Sequence, residues 1–205
     1  MYYGEKLNAW THLAGALLAI AGTVMLIVIA AQSGDPWKIV SVAVYGATLI
    51  VLYSASTLYH SVRGRAKAFL QKLDHHGIYL LIAGSYTPFC LVSLRGPWGW
   101  TLFGVIWGLA LLGVLQEMRP NGGARRLSMA IYIVMGWAAL AALVPLRAAL
   151  GSAGFAWLAA GGVVYTLGIV FYVLDARVRH AHGIWHLFVI GGSAVHYYTV
   201  MRYVL

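Results

Sequence analysis

The chain has 205 residues, of which 61% are hydrophobic and only 9% are charged. A typical soluble domain carries about 25% charged residues, so this composition excludes a water-soluble protein and predicts one integral membrane domain, residues 1–205. The net charge of +9 would suggest a nucleic-acid partner in a soluble protein. Here the basic residues fall in short predicted loops, where they set membrane topology. We therefore expect contact with the lipid bilayer and no nucleic acid.

Seven apolar segments approach the roughly 20 residues needed to cross a bilayer. They lie at residues 9–31, 39–60, 73–94, 98–117, 127–146, 155–175 and 181–203. Turn-forming stretches such as Pro120-Asn121-Gly122-Gly123 and Gly151-Ser152 separate them. The pattern predicts an all-α bundle of seven transmembrane helices, in which we expect the first helix to serve as the insertion signal. Gly104 and Gly108 have the spacing that lets helices pack closely.

Lysine and arginine are distributed unequally between the two sets of predicted loops. Ten lie in the N-terminus and the second, fourth and sixth loops, and four lie on the opposite side. Because basic residues favour the cytoplasmic side, we predict a multi-pass protein of the plasma (inner) membrane with a cytoplasmic N-terminus and an external C-terminus. A G-protein-coupled receptor has the reverse orientation. A retinal-binding microbial rhodopsin is excluded because the chain has no lysine after Lys72.

Histidines at helical spacing form the clearest candidate site. His182 and His186 are four residues apart, so one turn of α-helix places them on the same face. His60 ends the second segment, Ser56 lies one turn before it, and Asp74 begins the third segment on the same predicted side of the membrane. For any one histidine, solvation near a loop is the simpler interpretation, and an HxxxH pair often arises by chance. The clustering on one side favours a shared site.

Three neutral imidazoles with an open fourth position are a known catalytic zinc arrangement. We therefore predict a zinc site with His60, His182 and His186 as ligands. Asp74 would orient or deprotonate the water, and Ser56 would hydrogen-bond beside it, so both are predicted catalytic residues. Zinc lowers the pKa of its bound water to about 7, which makes hydroxide available at neutral pH. The single cysteine, Cys90, excludes a cysteine-based zinc site.

The remaining polar residues have simpler expected roles. Glu117 and Asp175 would pair with the nearby Arg119 and Arg177, and His196 would make a hydrogen bond between helices. Glu5, Asn8 and Thr11, near the N-terminus, would line the mouth of the site. Asn8 or Thr11 could equally cap the first helix.

Four motifs, in chain order, resemble those of the hemolysin III and progestin/adipoQ receptor superfamily. They are residues 5–12 (EKLNAWTH), 56–60 (STLYH), 72–78 (KLDHHGI) and 182–186 (HGIWH). The chain is similar to the bacterial hemolysin III branch because it has no long N-terminal extension and carries RRLS at residues 125–128. The resemblance implies a seven-helix fold with zinc held by His60, His182 and His186 near the cytoplasmic face. His76 stands where a small residue is expected, so its role is open.

The family includes adiponectin receptors with ceramidase activity, and its bacterial branch takes its name from haemolysis. Together with the predicted zinc site, this favours a zinc-dependent hydrolase of a lipid amide or ester, with a ceramide-like lipid or phospholipid as substrate. Two alternatives remain open: a cytolysin or channel, and a receptor-like sensor whose zinc is structural. The channel is disfavoured because the sequence has no ring-forming charges and no wide polar stripe.

Overall fold

The computed structural model describes residue 1 and residues 4–119 and 125–205, and these residues are almost entirely helical. The predicted turn at residues 120–123 lies outside this part of the chain. The helices are α1 (Lys6–Gln32), α2 (Pro36–Ser61), α3 (Arg65–Pro88), α4 (Pro97–Glu117), α5 (Arg125–Trp137), α6 (Leu143–Leu174) and α7 (Ala181–Tyr203). Helices satisfy every backbone hydrogen-bonding group internally, as an apolar environment requires.

Local chemistry explains several of the helix boundaries. Helix α2 begins at Pro36, where the missing N–H of proline costs nothing, and the Asp35 carboxylate accepts a hydrogen bond of 2.8 Å from the Trp37 backbone N–H. Pro97 likewise begins α4, although Gly96 before it provides no side-chain cap. Gly151 has φ 69° inside α6 and divides it into two helical runs, as the predicted Gly-Ser turn requires.

Two predicted segments differ from the observed helices. Helix α3 begins at Arg65, before the predicted residue 73, because its first two turns are polar and an apolar window does not detect them. The predicted segment 127–146 is interrupted by a 3₁₀ turn, Ala138–Ala142. Pro145 follows within one turn, and its ring removes the α-helical hydrogen bond to the carbonyl four residues earlier.

The outward faces of the bundle are apolar. Large hydrophobic side chains such as Leu18, Leu112 and Val144 are exposed by 60% or more of their surface, which water would penalise and lipid would not. Four stretches are long and apolar enough to cross a membrane by length and composition: Lys6–Gln32, Pro36–Ser61, Pro97–Glu117 and Arg125–Leu174. These features are those of an integral membrane protein.

The helices close into a ring. Helix α1 packs against α2 and α7, α2 packs against α3, α3 contacts α4 and α5, and α6 connects α5 to α7. This arrangement brings the N-terminal ends of α1 and α7 close to the C-terminal end of α2. The candidate site lies at this junction.

Candidate metal centre

A cavity of about 710 Å³ opens at one end of the bundle. It is formed where α1 and α7 begin and where α2, α4 and α6 end. Four of the chain's five carboxylate side chains line it, although basic residues outnumber acidic ones by 14 to 5. The acidic residues are Glu5, Asp74, Glu117 and Asp175. Carboxylates are therefore concentrated around one polar space.

The three predicted ligands meet beside this cavity, which His60 and His182 line. His60, His182 and His186 each offer a ring nitrogen, and these atoms lie within 4.8 Å of one another. The ring centroids are 5.1 Å apart for His60–His182 and His60–His186, and 4.8 Å apart for His182–His186. His60 and His186 are buried, and His182 is half-buried. A single metal ion can be held by this group.

Each histidine is oriented through its Nδ1 atom by a different acceptor. His60 Nδ1 lies 2.6 Å from Glu5 Oε2, His182 Nδ1 lies 3.3 Å from Asp175 Oδ2, and His186 Nδ1 lies 3.1 Å from the Asn8 carbonyl oxygen. Carboxylate and carbonyl oxygens only accept hydrogen bonds, so each Nδ1 carries the proton and each Nε2 carries a lone pair. Such outer hydrogen bonds fix the ring and raise its basicity as a metal ligand.

The three Nε2 atoms are buried and have no hydrogen-bond partner among the described residues. A buried polar atom without a partner costs about 1–3 kcal/mol, so three together are a substantial cost unless something binds them. A metal ion that accepts the three lone pairs would remove this cost. The donor set therefore fits a metal.

The Glu5 carboxylate accepts the hydrogen bond from His60 and two further hydrogen bonds. The two further bonds come from Asn8 Nδ2 at 2.8 Å and from Lys67 Nζ at 3.2 Å. The hydrogen bond with His60 is the main reason that the pKa of Glu5 is held well below its usual range, and the bonds from Asn8 and Lys67 add to it against the opposing effect of burial. Glu5 is therefore an ionised acceptor at neutral pH.

Helix α1 holds His186 from two directions. The Asn8 carbonyl and the Thr11 hydroxyl, 3.2 Å away, face its ring edge. His12 stacks on its face, with centroids 3.5 Å apart and planes inclined by 9°. Glu5 thus contacts His60, and Asn8 and Thr11 contact His186. Neither Asn8 nor Thr11 caps α1, whose N-cap is Glu5 without a side-chain cap bond.

The two predicted catalytic residues lie next to each other. Asp74 is 4% exposed and lines the cavity that His60 also lines. Ser56 is fully buried, and its hydroxyl faces Asp74 without forming a hydrogen bond of normal geometry. Their positions are compatible with the predicted roles.

The expected pairing of Glu117 and Asp175 is wrong. Asp175 binds Arg125 at 2.9 Å in addition to His182. Glu117 accepts hydrogen bonds from Ser128 and from the neighbouring Gln116, and its other oxygen lies 3.5 Å from His75 Nδ1. Both carboxylates line the cavity, where they reach Arg125 and Ser128 of α5, residues that are distant in the sequence but adjacent in the folded bundle.

His196 and His76 stand apart from the group of three, whereas His12 stacks on His186. His196 Nε2 lies 3.2 Å from the Leu158 carbonyl oxygen, which confirms the expected hydrogen bond between helices. His76 does not belong to the three-histidine group, and its Nε2 atom is buried without a partner.

Comparison with known proteins places this chain in a family. The model of the family described as "Haemolysin-III related" matches residues 2–197. The chain belongs to the haemolysin III family. The match spans all four motifs and every residue of the candidate metal centre.

Relatives of this haemolysin III protein occur in bacteria and in animals. It is 43% identical to "Hemolysin-3" of Bacillus cereus over 202 residues, covering 98% of this chain and 92% of that protein. It is 43% identical to "Hemolysin-3 homolog" of Bacillus subtilis (strain 168), covering 97% and 93%. It is 30% identical to human "Monocyte to macrophage differentiation factor", covering 98% and 84%. The family thus joins bacterial hemolysin-3 proteins to the progestin and adipoQ receptor superfamily.

Proposed function

We propose that this protein is a zinc-dependent membrane hydrolase that cleaves an amide or ester bond of a lipid. The observation that supports this proposal most directly is the set of three buried Nε2 atoms, none of which has a partner among the described residues. Each lies on a ring whose Nδ1 is held by an acceptor. A solvated cluster of histidines would not need three separate orienting partners.

Zinc is the metal that this donor set favours. Imidazole nitrogen suits zinc, copper, iron and nickel, but three histidines with a fourth position left to a substrate are typical of catalytic zinc. When bound, zinc would polarise a carbonyl group and make hydroxide available at neutral pH. His60, His182 and His186 would hold it, and Glu5 and Asp175 would hold two of those rings in place.

Asp74 is the proposed acid and base of the reaction. Its carboxylate takes a proton from the attacking water and passes it to the leaving nitrogen or oxygen, so that an amide and water yield a carboxylic acid and an amine. Ser56 faces Asp74, and its hydroxyl has no other partner among the described residues, so it is available to donate a hydrogen bond to that carboxylate. Burial keeps bulk water from competing for that proton.

Two adjoining cavities support a lipid substrate. The polar cavity holds His60, His182 and Asp74, and a separate apolar cavity of about 130 Å³ lies within the bundle. Ile78, Tyr172 and Trp185 line both cavities. The first few carbons of the acyl chain would occupy the apolar cavity, the head group would occupy the polar one, and the scissile carbonyl would lie between them.

Incubation of purified protein with panels of ceramides and phospholipids tests this function. Released fatty acid should be detected by mass spectrometry with wild-type protein and be reduced at least a hundredfold in H186A. Equal product from both proteins would exclude this site as the source of the activity.

We also propose seven membrane spans with the N-terminus in the cytoplasm of a bacterial cell. The ten-to-four distribution of basic residues supports the orientation, and the break at Gly151 allows Arg125–Leu174 to cross twice. Reporter fusions at each end test the topology. A reporter active outside the membrane at the N-terminus would overturn it.

A cytolysin is the second candidate, favoured by the name "Hemolysin-3" of the Bacillus cereus relative. Release of dye from liposomes discriminates between the two. A pore should leak equally with zinc and with a chelator, whereas a hydrolase should release dye only with zinc and a cleavable lipid.

A further inference from the structure

His12 is a buried polar side chain that the proposed mechanism does not use. It is 1% exposed, and among the described residues it is the one histidine with both ring nitrogens buried and without a partner. Its ring lies flat on His186, and the edge of the Tyr53 ring contacts it at a centroid distance of 5.0 Å. The position of the ring is therefore fixed by packing alone.

Stacking does not explain why this residue is a histidine. A phenyl ring could pack on His186 and Tyr53 without leaving a nitrogen unpaired. A neutral imidazole always carries one N–H donor and one lone pair, and leaving them unpaired in a buried site is unfavourable. We therefore expect the His12 nitrogens to have a polar partner, which none of the described residues provides.

The place of His12 in the fold indicates what that partner is. His60 and His182 line the polar cavity, whereas His12 lines the apolar cavity on the other side of the histidine cluster. A lipid that spans both cavities has its carbonyl at this boundary. The lining of the apolar cavity is otherwise mostly hydrophobic, with residues such as Leu81, Ile82 and Val189.

We infer that His12 is a further catalytic residue, whose ring N–H donates a hydrogen bond to the carbonyl oxygen of the bound lipid. As water adds to the carbonyl carbon, that oxygen gains negative charge, and a fixed N–H donor becomes stronger for it. The proton stays on His12, so this hydrogen bond does not change the stoichiometry of the hydrolysis. This inference rests on the proposed function, since the oxygen lies beside the ion held by His186.

The test uses cobalt(II) in place of zinc and acetohydroxamate as a probe of the open position. The absorption spectrum of cobalt reports both metal loading and probe binding, so the test does not depend on hydrolysis of a lipid. H12F keeps a ring against His186 but removes both nitrogens, and H12L provides the same comparison if H12F does not fold. H196F is the matched control, because His196 is also a buried histidine of the apolar cavity.

We expect H12F and H12L to bind cobalt as wild type does but to bind acetohydroxamate about tenfold more weakly. H196F should match wild type, and H12Q, which retains an N–H donor, should recover part of the affinity. Probe affinity in H12F and H12L within twofold of wild type would overturn the inference and leave His12 a packing residue. Loss of cobalt from H12F and H12L to the level of H186A would also overturn it. A wild-type protein without cobalt would instead refute the metal centre itself.

Discussion

His60 Nδ1 lies 2.6 Å from Glu5 Oε2, although the two residues are 55 positions apart in the chain. This hydrogen bond joins the N-terminus of α1 to the C-terminal end of α2. It also directs the other nitrogen of His60 toward His182 and His186. The geometry of the candidate metal centre therefore depends on residues outside the three-histidine group.

Replacing Glu5 by glutamine tests that dependence. E5Q keeps the size of the side chain but removes its charge and weakens the acceptor for His60, so we expect zinc affinity to fall about 10–100-fold. Competition with a fluorescent chelator measures it. D35N is the matched control, because Asp35 caps α2 and does not line the cavity. Equal affinities for E5Q and wild type would show that Glu5 does not support the ligand.

Replacing Asp74 by asparagine separates catalysis from metal binding. D74N should lose hydrolysis by a factor of at least a hundred, because an amide cannot take up the proton, while it retains most of the zinc. Elemental analysis and product release are measured on the same preparation. If D74N loses zinc as completely as H186A, Asp74 is a metal ligand and its proposed role in proton transfer is wrong.

Metal binding should weaken in mild acid. A histidine must be neutral to bind a metal, and its reference pKa is about 6.5, so zinc content should fall as the pH drops below about 6. A second loss of stability is expected below about pH 4.5. The pKa of Glu5 is lowered by folding from its ordinary 4.5, so its contribution is present above that pH and is lost as the pH falls. Thermal unfolding in detergent, with zinc and with chelator, resolves both steps. Zinc retention at pH 4 would contradict histidine ligation.

Two glycines of α4 should respond differently to alanine. A Cβ at Gly113 would overlap the Tyr79 ring, whereas a Cβ at Gly108 meets nothing within 4 Å. G113A should lose about 1–3 kcal/mol through overpacking, and G108A should unfold at the same or a higher temperature. Thermal unfolding of both variants measures the difference. Equal stability would show that the contact with Tyr79 relaxes at little cost.

The grouping of histidines at the candidate site was predictable in part because helical periodicity is local. Four-residue spacing places His182 and His186 on one face, and the same rule relates Ser56 to His60. The helices themselves followed from apolar length, apart from the polar first turns of α3 and the interruption before Pro145. Motif resemblance supplied the link between helices that are distant in the chain.

The orienting residues could not be predicted in the same way. Which acceptor reaches the Nδ1 of His60 or His182 depends on how α1 and α6 approach the site, and no spacing in the sequence encodes that approach. Sequence proximity instead suggested Arg177 as the partner of Asp175, whereas the structure pairs it with Arg125 and His182. The packing role predicted for Gly104 and Gly108 is also wrong for the described residues, since both face open space.

Metal analysis of purified protein tests the central claim most directly. Elemental analysis of wild type, H60A, H182A, H186A and H196A, each exchanged into metal-free detergent buffer after zinc loading, should give about one zinc per chain for wild type and H196A. The other three variants should retain less than about a tenth of that amount. Stoichiometric zinc in a protein lacking both His182 and His186, or no bound metal in wild type, would contradict the account.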